Sequence, residues 1–111
     1  MTDLHALTPL DGRYAETTAP LTGYFSEYAF LRDRVRVELD FLAALSKTSL
    51  FRHLTDSESA QLESIKSNFS SEDAEAIRKH EQVTRHDVKA IEYFLQDKVK
   101  NTSIHDLLSW I

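Results

Sequence analysis

Residues 26–47 read SEYAFLRDRVRVELDFLAALSK and carry the clearest helical pattern of the sequence. Its apolar residues recur at spacings of three and four, which is the period of an α-helix with a buried face. One apolar stripe consists of Tyr28, Leu31, Val35, Leu39, Leu42 and Leu45. A second stripe consists of Phe30, Val37, Phe41 and Ala44. The pattern therefore predicts a long helix that is apolar on two sides and is buried between partners.

The distribution of Gly and Pro predicts that most of the chain is helical. The 111 residues include two Gly and two Pro, and all four lie within the first 23 positions. A long stretch without either residue favours helices joined by polar turns over a sheet with tight hairpins. We therefore predict an all-α fold, with an irregular leader over residues 1–23 and a helical domain over residues 24–111.

Capping residues predict three further helices. Their expected N-terminal caps are the Thr55–Glu58 capping box, then Ser70 or Ser71, then Thr84. Their expected buried residues are Leu62, Ile65 and Phe69 in the first, Ile77 in a short and polar second, and Val88, Ile91, Leu95 and Val99 in the third. The sequence ends in an apolar run over 107–111, and we expect Trp110 to belong to a core and the helical domain to be interrupted at this end.

Composition excludes several classes of function. The chain has no Cys, so disulfides and thiolate metal sites are excluded. No apolar run approaches the ~20 residues that span a bilayer, and the first residues lack the pattern of a secretory signal, so we expect a cytoplasmic protein. The net charge of −5 argues against nucleic acid as a partner, yet it permits one small phosphate bound by local Arg and His side chains.

The first segment with chemical potential is residues 9–14, which read PLDGRY. Gly12 permits a tight turn, and Arg13 and Tyr14 follow it directly. The Arg13 guanidinium suits a phosphate or a carboxylate, and Tyr14 adds a hydroxyl or a stacking face. The alternative is a turn whose Arg13 forms a surface ion pair worth ~0–1 kcal/mol.

The second segment is residues 84–88, which read TRHDV. If Thr84 is the N-cap, the following residues fill the first turn of a helix, whose free N–H groups attract anions. Arg85 and His86 would add donors, and Asp87 would orient an imidazole or accept from a ligand hydroxyl. In the alternative, Asp87 only completes a capping box with Thr84, and His86 has a structural or surface role.

Other polar residues give weaker signals. His80 and His86 are six positions apart, which does not suit two metal ligands on one helix, and no metal site is expected. The alternating residues Arg32, Arg34 and Arg36 cannot share one helix face, which favours a solvated or packed rim.

The two segments together resemble a known enzyme family. PLDGRY resembles the opening motif of bacterial adenylosuccinate lyases, and about seventy residues further on TRHDVKAIEYFL (84–95) resembles their Thr-x-His-Asp-Val block and the stretch after it. Residues 25–28, FSEY, also fit that family. The order and separation of these motifs agree across nearly the whole chain.

The resemblance implies both a fold and an activity. The family belongs to the fumarase/aspartase superfamily of all-helical homotetramers, which release fumarate by β-elimination. Its substrates are adenylosuccinate and the succinylated aminoimidazole carboxamide ribotide of purine biosynthesis, and no cofactor is implied. By resemblance, Arg13 and Tyr14 contact the nucleotide substrate, and Arg85, His86 and Asp87 form another part of its site. The family also suggests His86 as an acid, although we assign it to substrate binding.

The resemblance also implies that much of the enzyme is missing here. The family's base is a Ser in a Ser-Ser-x-Met-Pro-x-Lys-x-Asn loop and its acid is a His in a Thr-His-x-Gln block, and this sequence contains neither. The central helical bundle is absent too. We therefore expect an N-terminal domain that is inactive alone. The alternatives are a non-enzymatic helical interaction module, favoured by the two-sided helix 26–47, and a related fumarate-releasing lyase such as argininosuccinate lyase, whose N-terminal motifs differ.

Overall fold

A computed structural model describes residues 3–110, and of residues 109 and 110 it describes only the backbone. Every regular element in this range is helical, as predicted. The α-helices are α1 (Ala15–Thr18), α2 (Thr22–Phe25), α3 (Glu27–Leu45), α4 (Asp56–Ser67), α5 (Ser71–Thr84) and α6 (Asp87–Val99), with 3₁₀ helices at Ala19–Leu21 and His105–Trp110. We predicted that Trp110 belongs to a core, and its side chain lies outside the described part of the structure. Within the described range, no helix is both long and apolar enough to cross a membrane.

The chain divides into two compact units, Met1–Phe30 and Leu31–Ile111, and each is described by itself. In the first unit, the segment that we predicted to be irregular contains single helical turns between Ala15 and Phe25. These turns are three or four residues long, which is too short to produce an apolar period. Pro20 lies in the first turn of a 3₁₀ helix, where its missing N–H leaves no bond unmade.

The long helix α3 confirms one of its two apolar stripes and contradicts the other. In the first stripe, Leu31, Val35 and Leu39 are no more than 2% exposed. In the second stripe, Val37 and Phe41 are 64% and 52% exposed. The prediction of a helix buried on both sides is therefore wrong for the described residues. A chain this small has too little other surface to cover two faces of one helix.

Helices α4 and α5 begin at reciprocal capping boxes. The Thr55 hydroxyl accepts from the Glu58 N–H at 3.1 Å, and the Glu58 carboxylate accepts from the Thr55 N–H at 2.9 Å. Ser70 caps α5 in the same way with Asp73. Helix α5 has 14 residues, so the prediction of a short helix is wrong; its polar residues form an exposed face, and Ile77 is fully buried.

Helix α6 buries most of its predicted apolar face. Its buried residues are Ala90, Ile91, Phe94, Leu95 and Val99. Val88, which we expected to be buried with them, is 42% exposed. The helix begins only one residue earlier, and helical side chains point toward the N-terminus, so Val88 projects beyond the end of the packed face.

A polar cluster ties the second unit together, and we call Arg52, Glu58, Ser103 and Asp106 the Arg52 cluster. The Arg52 guanidinium donates to both Glu58 oxygens at 2.9 Å and to Asp106 at 2.8 and 3.1 Å. The Ser103 hydroxyl donates to Glu58 at 2.7 Å. The side chain of Glu58 is 4% exposed. Hydrogen bonds from Arg52, and then from the Thr55 N–H, lower the pKa of Glu58 to about 2.

Replacing the buried carboxylate tests how much the Arg52 cluster stabilises the second unit. We expect Glu58→Gln to lower the free energy of unfolding by about 1–3 kcal/mol, because the guanidinium loses one of its two charged partners. Urea unfolding followed by circular dichroism measures the difference. Glu75→Gln, on the exposed face of α5, is the matched control and should change stability little. An equal effect of both variants would contradict a special role for Glu58.

Because the pKa of Glu58 is lowered, we expect the stability of the second unit to fall at acidic pH. The pKa of Glu58 in the folded chain, about 2, lies below its ordinary value of 4.5. Its stabilisation is therefore fully present above pH 4.5 and is lost as the pH falls from there toward 2. Glu58→Gln should remove this component, so the stability difference between wild type and variant should shrink below pH 4.5. A difference that stays constant down to pH 2.5 would contradict the assignment.

Candidate functional site

The first motif, residues 9–14, is a loop held closed by its own polar groups. The Tyr14 N–H donates to the Pro9 carbonyl at 2.8 Å. The Asp11 carboxylate accepts from the N–H and the hydroxyl of Thr8 at 2.9 and 3.1 Å. The Thr8 N–H is the main cause that lowers the pKa of Asp11. Asp11 therefore has a structural role. Arg13 is the charged side chain of the motif that is available to a ligand.

Gly12 is required by close packing. It is buried, and a Cβ at this position would lie 3.1 Å from the Ala6 Cβ and 3.2 Å from the Thr8 carbonyl oxygen. Its φ is not positive, so the sequence-based reason, a turn that needs glycine's freedom, is not the operative one. The absence of a side chain lets residues 6 and 8 pack closely against Gly12, and the next two residues lie at the surface.

Arg13 and Tyr14 are exposed side by side at an open depression of about 690 Å³. Tyr14 is 49% exposed. The other residues that line the depression include Leu4, Leu7 and Pro9, which give it an apolar wall. Arg13 forms no ion pair with any residue between 3 and 110, so the alternative of a surface ion pair finds no partner there. A guanidinium and a phenol beside an apolar wall can bind an anion attached to a flat ring.

The second motif is built differently from the prediction. Thr84 is the last residue of α5, and the N-cap of α6 is His86, so Arg85 and His86 do not fill a first helical turn. The Thr84 hydroxyl accepts from the His86 N–H at 3.2 Å instead of forming a capping box with Asp87. The expectation failed because Thr84 and His86 both lie where a cap can form, and the helix break occurs between them at Arg85.

Arg85 makes the break because its backbone is left-handed, with φ 54° and ψ 31°. No other non-glycine residue in the described range has a positive φ. Its N–H closes α5 by donating to the Glu81 carbonyl at 2.7 Å. Its side chain lines an open polar depression of about 570 Å³ together with Arg78, Glu81 and Gln82. Left-handed backbone is unfavourable for residues with a Cβ, so Arg85 is kept here at a cost in stability.

His86 presents its imidazole edge to solvent. Its Nδ1 accepts from the Lys89 N–H at 3.4 Å, so a neutral ring carries its proton on Nε2. The side chain is 66% exposed. The ring therefore offers an N–H donor to a ligand while its other nitrogen caps α6.

Asp87 is the most firmly held residue of the second motif. One oxygen accepts from the Val88 N–H at 2.8 Å, and the other lies 2.9 Å from Nη1 of Arg34 on α3. The hydrogen bond from Arg34 is the main cause that lowers the pKa of Asp87. Sequence reasoning missed Arg34 because it stands 53 positions away in a run of alternating arginines that gave no partner.

The described residues place the candidate residues in two groups. Arg13 and Tyr14 lie in the first unit, and Arg85, His86 and Asp87 lie in the second. His80 takes no part in either group, since it pairs with Asp97 at 2.9 Å and stacks on Tyr93. Within residues 3–110, no group of three or more His, Cys, Asp or Glu side chains is placed to hold a metal.

Comparison with known proteins finds similar enzymes. No family model matches the chain. The adenylosuccinate lyase of Haemophilus influenzae is 40% identical over 104 residues, which is 91% of this chain. Those of Buchnera aphidicola (subsp. Baizongia pistaciae) and Escherichia coli K12 are 43% and 40% identical over 97% and 89% of it. The chain spans 22–24% of the length of these three relatives.

The left-handed backbone of Arg85 can be tested separately from its guanidinium group. We expect Arg85→Gly to be more stable than Arg85→Ala by about 1 kcal/mol, because glycine adopts φ 54° without a steric cost. Thermal unfolding of the two variants measures the difference, and both lack the guanidinium. Equal stabilities would show that the backbone at Arg85 relaxes out of the left-handed region.

Proposed function

Because this chain is homologous to adenylosuccinate lyases over about nine tenths of its length, we propose that it is part of an enzyme that cleaves adenylosuccinate to AMP and fumarate. The proposal includes the second family substrate, the succinylated aminoimidazole carboxamide ribotide. It also includes assembly as a cytoplasmic homotetramer without a cofactor. The observation that carries the proposal is the match over 97% of the chain, a coverage that takes in both motifs.

Each motif has a role that fits its chemistry. Arg13 provides a rigid guanidinium for a phosphate or a carboxylate, and Tyr14 provides a hydroxyl or a stacking face. Arg85 and the Nε2–H of His86 donate to anionic oxygens, and Asp87 accepts from a ligand hydroxyl or orients the donors beside it. All five side chains bind substrate in this proposal, and none removes the carbon proton.

The proposal assigns the elimination chemistry to residues outside this sequence. β-Elimination requires a base for the carbon proton and an acid for the leaving nitrogen. The Ser-loop and Thr-His patterns that supply them in the family do not occur among these 111 residues. The chain by itself therefore binds parts of the substrate and does not turn it over.

The second candidate function is a helical interaction module without enzymatic activity. The exposed apolar stripe of α3, which includes Val37 and Phe41, favours it because such a stripe suits a partner surface. The third is a related fumarate-releasing lyase. A panel of adenylosuccinate and argininosuccinate, followed by fumarate absorbance, separates the three.

The decisive experiment uses the protein produced from the complete reading frame that contains this sequence. We expect it to release fumarate from adenylosuccinate, and we expect Arg13→Ala and His86→Ala to raise KM by about tenfold or more. Arg36→Ala and His53→Ala, at exposed positions outside the motifs, are the matched controls and should leave KM unchanged.

Three results would contradict the proposal. The first is a complete protein that ignores adenylosuccinate and acts on argininosuccinate, which would favour the related lyase. The second is an absence of lyase activity on either compound, which would favour the interaction module. The third is measurable turnover by the 111-residue chain alone, which would place the acid and base within it.

A further inference from the structure

We propose that Arg34 is a positioning residue for the second motif, which it serves by fixing the Asp87 carboxylate beside His86. The inference rests on the proposed function, because it concerns how that motif receives an anionic substrate. Arg34 lies on α3 and Asp87 opens α6, and both belong to the second unit.

The contact holds the carboxylate from two sides. Nη1 of Arg34 lies 2.9 Å from Oδ2 of Asp87, and the Val88 N–H donates to Oδ1 at 2.8 Å. A carboxylate with both oxygens engaged has one orientation, whereas the Val88 N–H alone would let the group rotate. Arg34 therefore sets the direction in which Asp87 faces.

The orientation matters because of the neighbouring imidazole. Oδ1 of Asp87 lies 4.0 Å from Nδ1 of His86, which is beyond hydrogen-bond distance but close enough for the carboxylate to act electrostatically on the ring. The Nδ1 atom is already occupied as an acceptor from the Lys89 N–H. A carboxylate that turned toward the ring would favour a proton on Nδ1, because a carboxylate only accepts hydrogen bonds. That proton would break the Nδ1 cap and remove from Nε2 the proton that donates to the ligand.

Charge gives Arg34 a second effect. Without it, Asp87 would present an uncompensated negative charge next to Arg85 and His86, where the substrate brings its own phosphate and carboxylates. The ion pair cancels that charge and leaves the donors of the motif to dominate. The Arg34 and Asp87 side chains are 26% and 48% exposed, so solvent screens the pair and its contribution to folding is small. Its main effect is therefore local.

Steady-state kinetics of the complete protein test the proposal. We expect Arg34→Ala to raise KM for adenylosuccinate by about tenfold and to change kcat by less than about threefold, because binding is weakened while the elimination groups lie elsewhere. Arg34→Lys should recover most of the loss, since it keeps the charge near Oδ2. Arg36→Ala, which removes the same charge two positions away, is the control.

A double-mutant cycle shows whether Arg34 acts through Asp87. The effects of Arg34→Ala and Asp87→Asn on KM should be strongly non-additive, because either change destroys the same pair. In the 111-residue chain, the titration of the Asp87 carboxyl by nuclear magnetic resonance should move toward its ordinary pKa in Arg34→Ala and stay unchanged in Arg36→Ala.

The outcomes separate this proposal from the one on which it rests. Failure of the unsubstituted complete protein to act on adenylosuccinate refutes the proposed function, while the Asp87 titration still reports on the Arg34 contact. If the protein is active and Arg34→Ala has normal KM, or if its effect adds fully to that of Asp87→Asn, Arg34 does not position the motif. A joint collapse of kcat, KM and thermal stability that Arg34→Lys does not rescue also overturns the proposal, since it indicates a purely structural role.

Discussion

The Glu58 carboxylate is buried in the second unit, and it must receive hydrogen bonds from the residues around it. Removing a carboxylate from water costs several kcal/mol unless donors replace the lost solvent. Here the donors are the Arg52 guanidinium, the Thr55 N–H and the Ser103 hydroxyl. They come from three parts of the chain, so the start of α4, the turn before it and the segment after α6 must all be in place together. Apolar packing sets which helix faces are buried, and this carboxylate sets how the connecting segments meet.

The parts of the fold that could be predicted from sequence depend on neighbours three or four positions apart. The buried stripe of α3 and the Thr55–Glu58 box are of this kind, because helix geometry converts a local spacing into a contact. The same Glu58 also binds Arg52 and Ser103, and those contacts leave no periodic trace. The prediction that α6 is capped by Thr84 was wrong for a related reason. A residue with a Cβ took the left-handed conformation that usually marks a glycine, so Arg85 gave no sign of the break.

The candidate site divides in the same way. The resemblance to a family assigned a binding role to Arg13, Tyr14, Arg85, His86 and Asp87. The chemistry of the side chains alone left this role open beside a structural or surface role. The resemblance could not indicate which of them are anchored. The described contacts hold Asp87 from both of its oxygens and leave the His86 ring largely exposed. The contact of Arg34 with Asp87 could not be predicted from sequence patterns, because an ion pair over 53 positions depends on the packing of α3 near α6.

The buried Gly12 gives the first motif a kind of rigidity that the second lacks. Part of its shape rests on close packing around Gly12, where an added Cβ would lie only 3.1 Å from the Ala6 Cβ and 3.2 Å from the Thr8 carbonyl oxygen. Dissolved ions do not screen a steric contact. The second motif depends on an ion pair between partly exposed side chains, and added electrolyte weakens such a pair over a Debye length of about 8–10 Å. Rising ionic strength should therefore loosen the Asp87 carboxylate and leave the loop at 9–14 in its shape, so that the two groups of candidate residues differ in the conditions they tolerate.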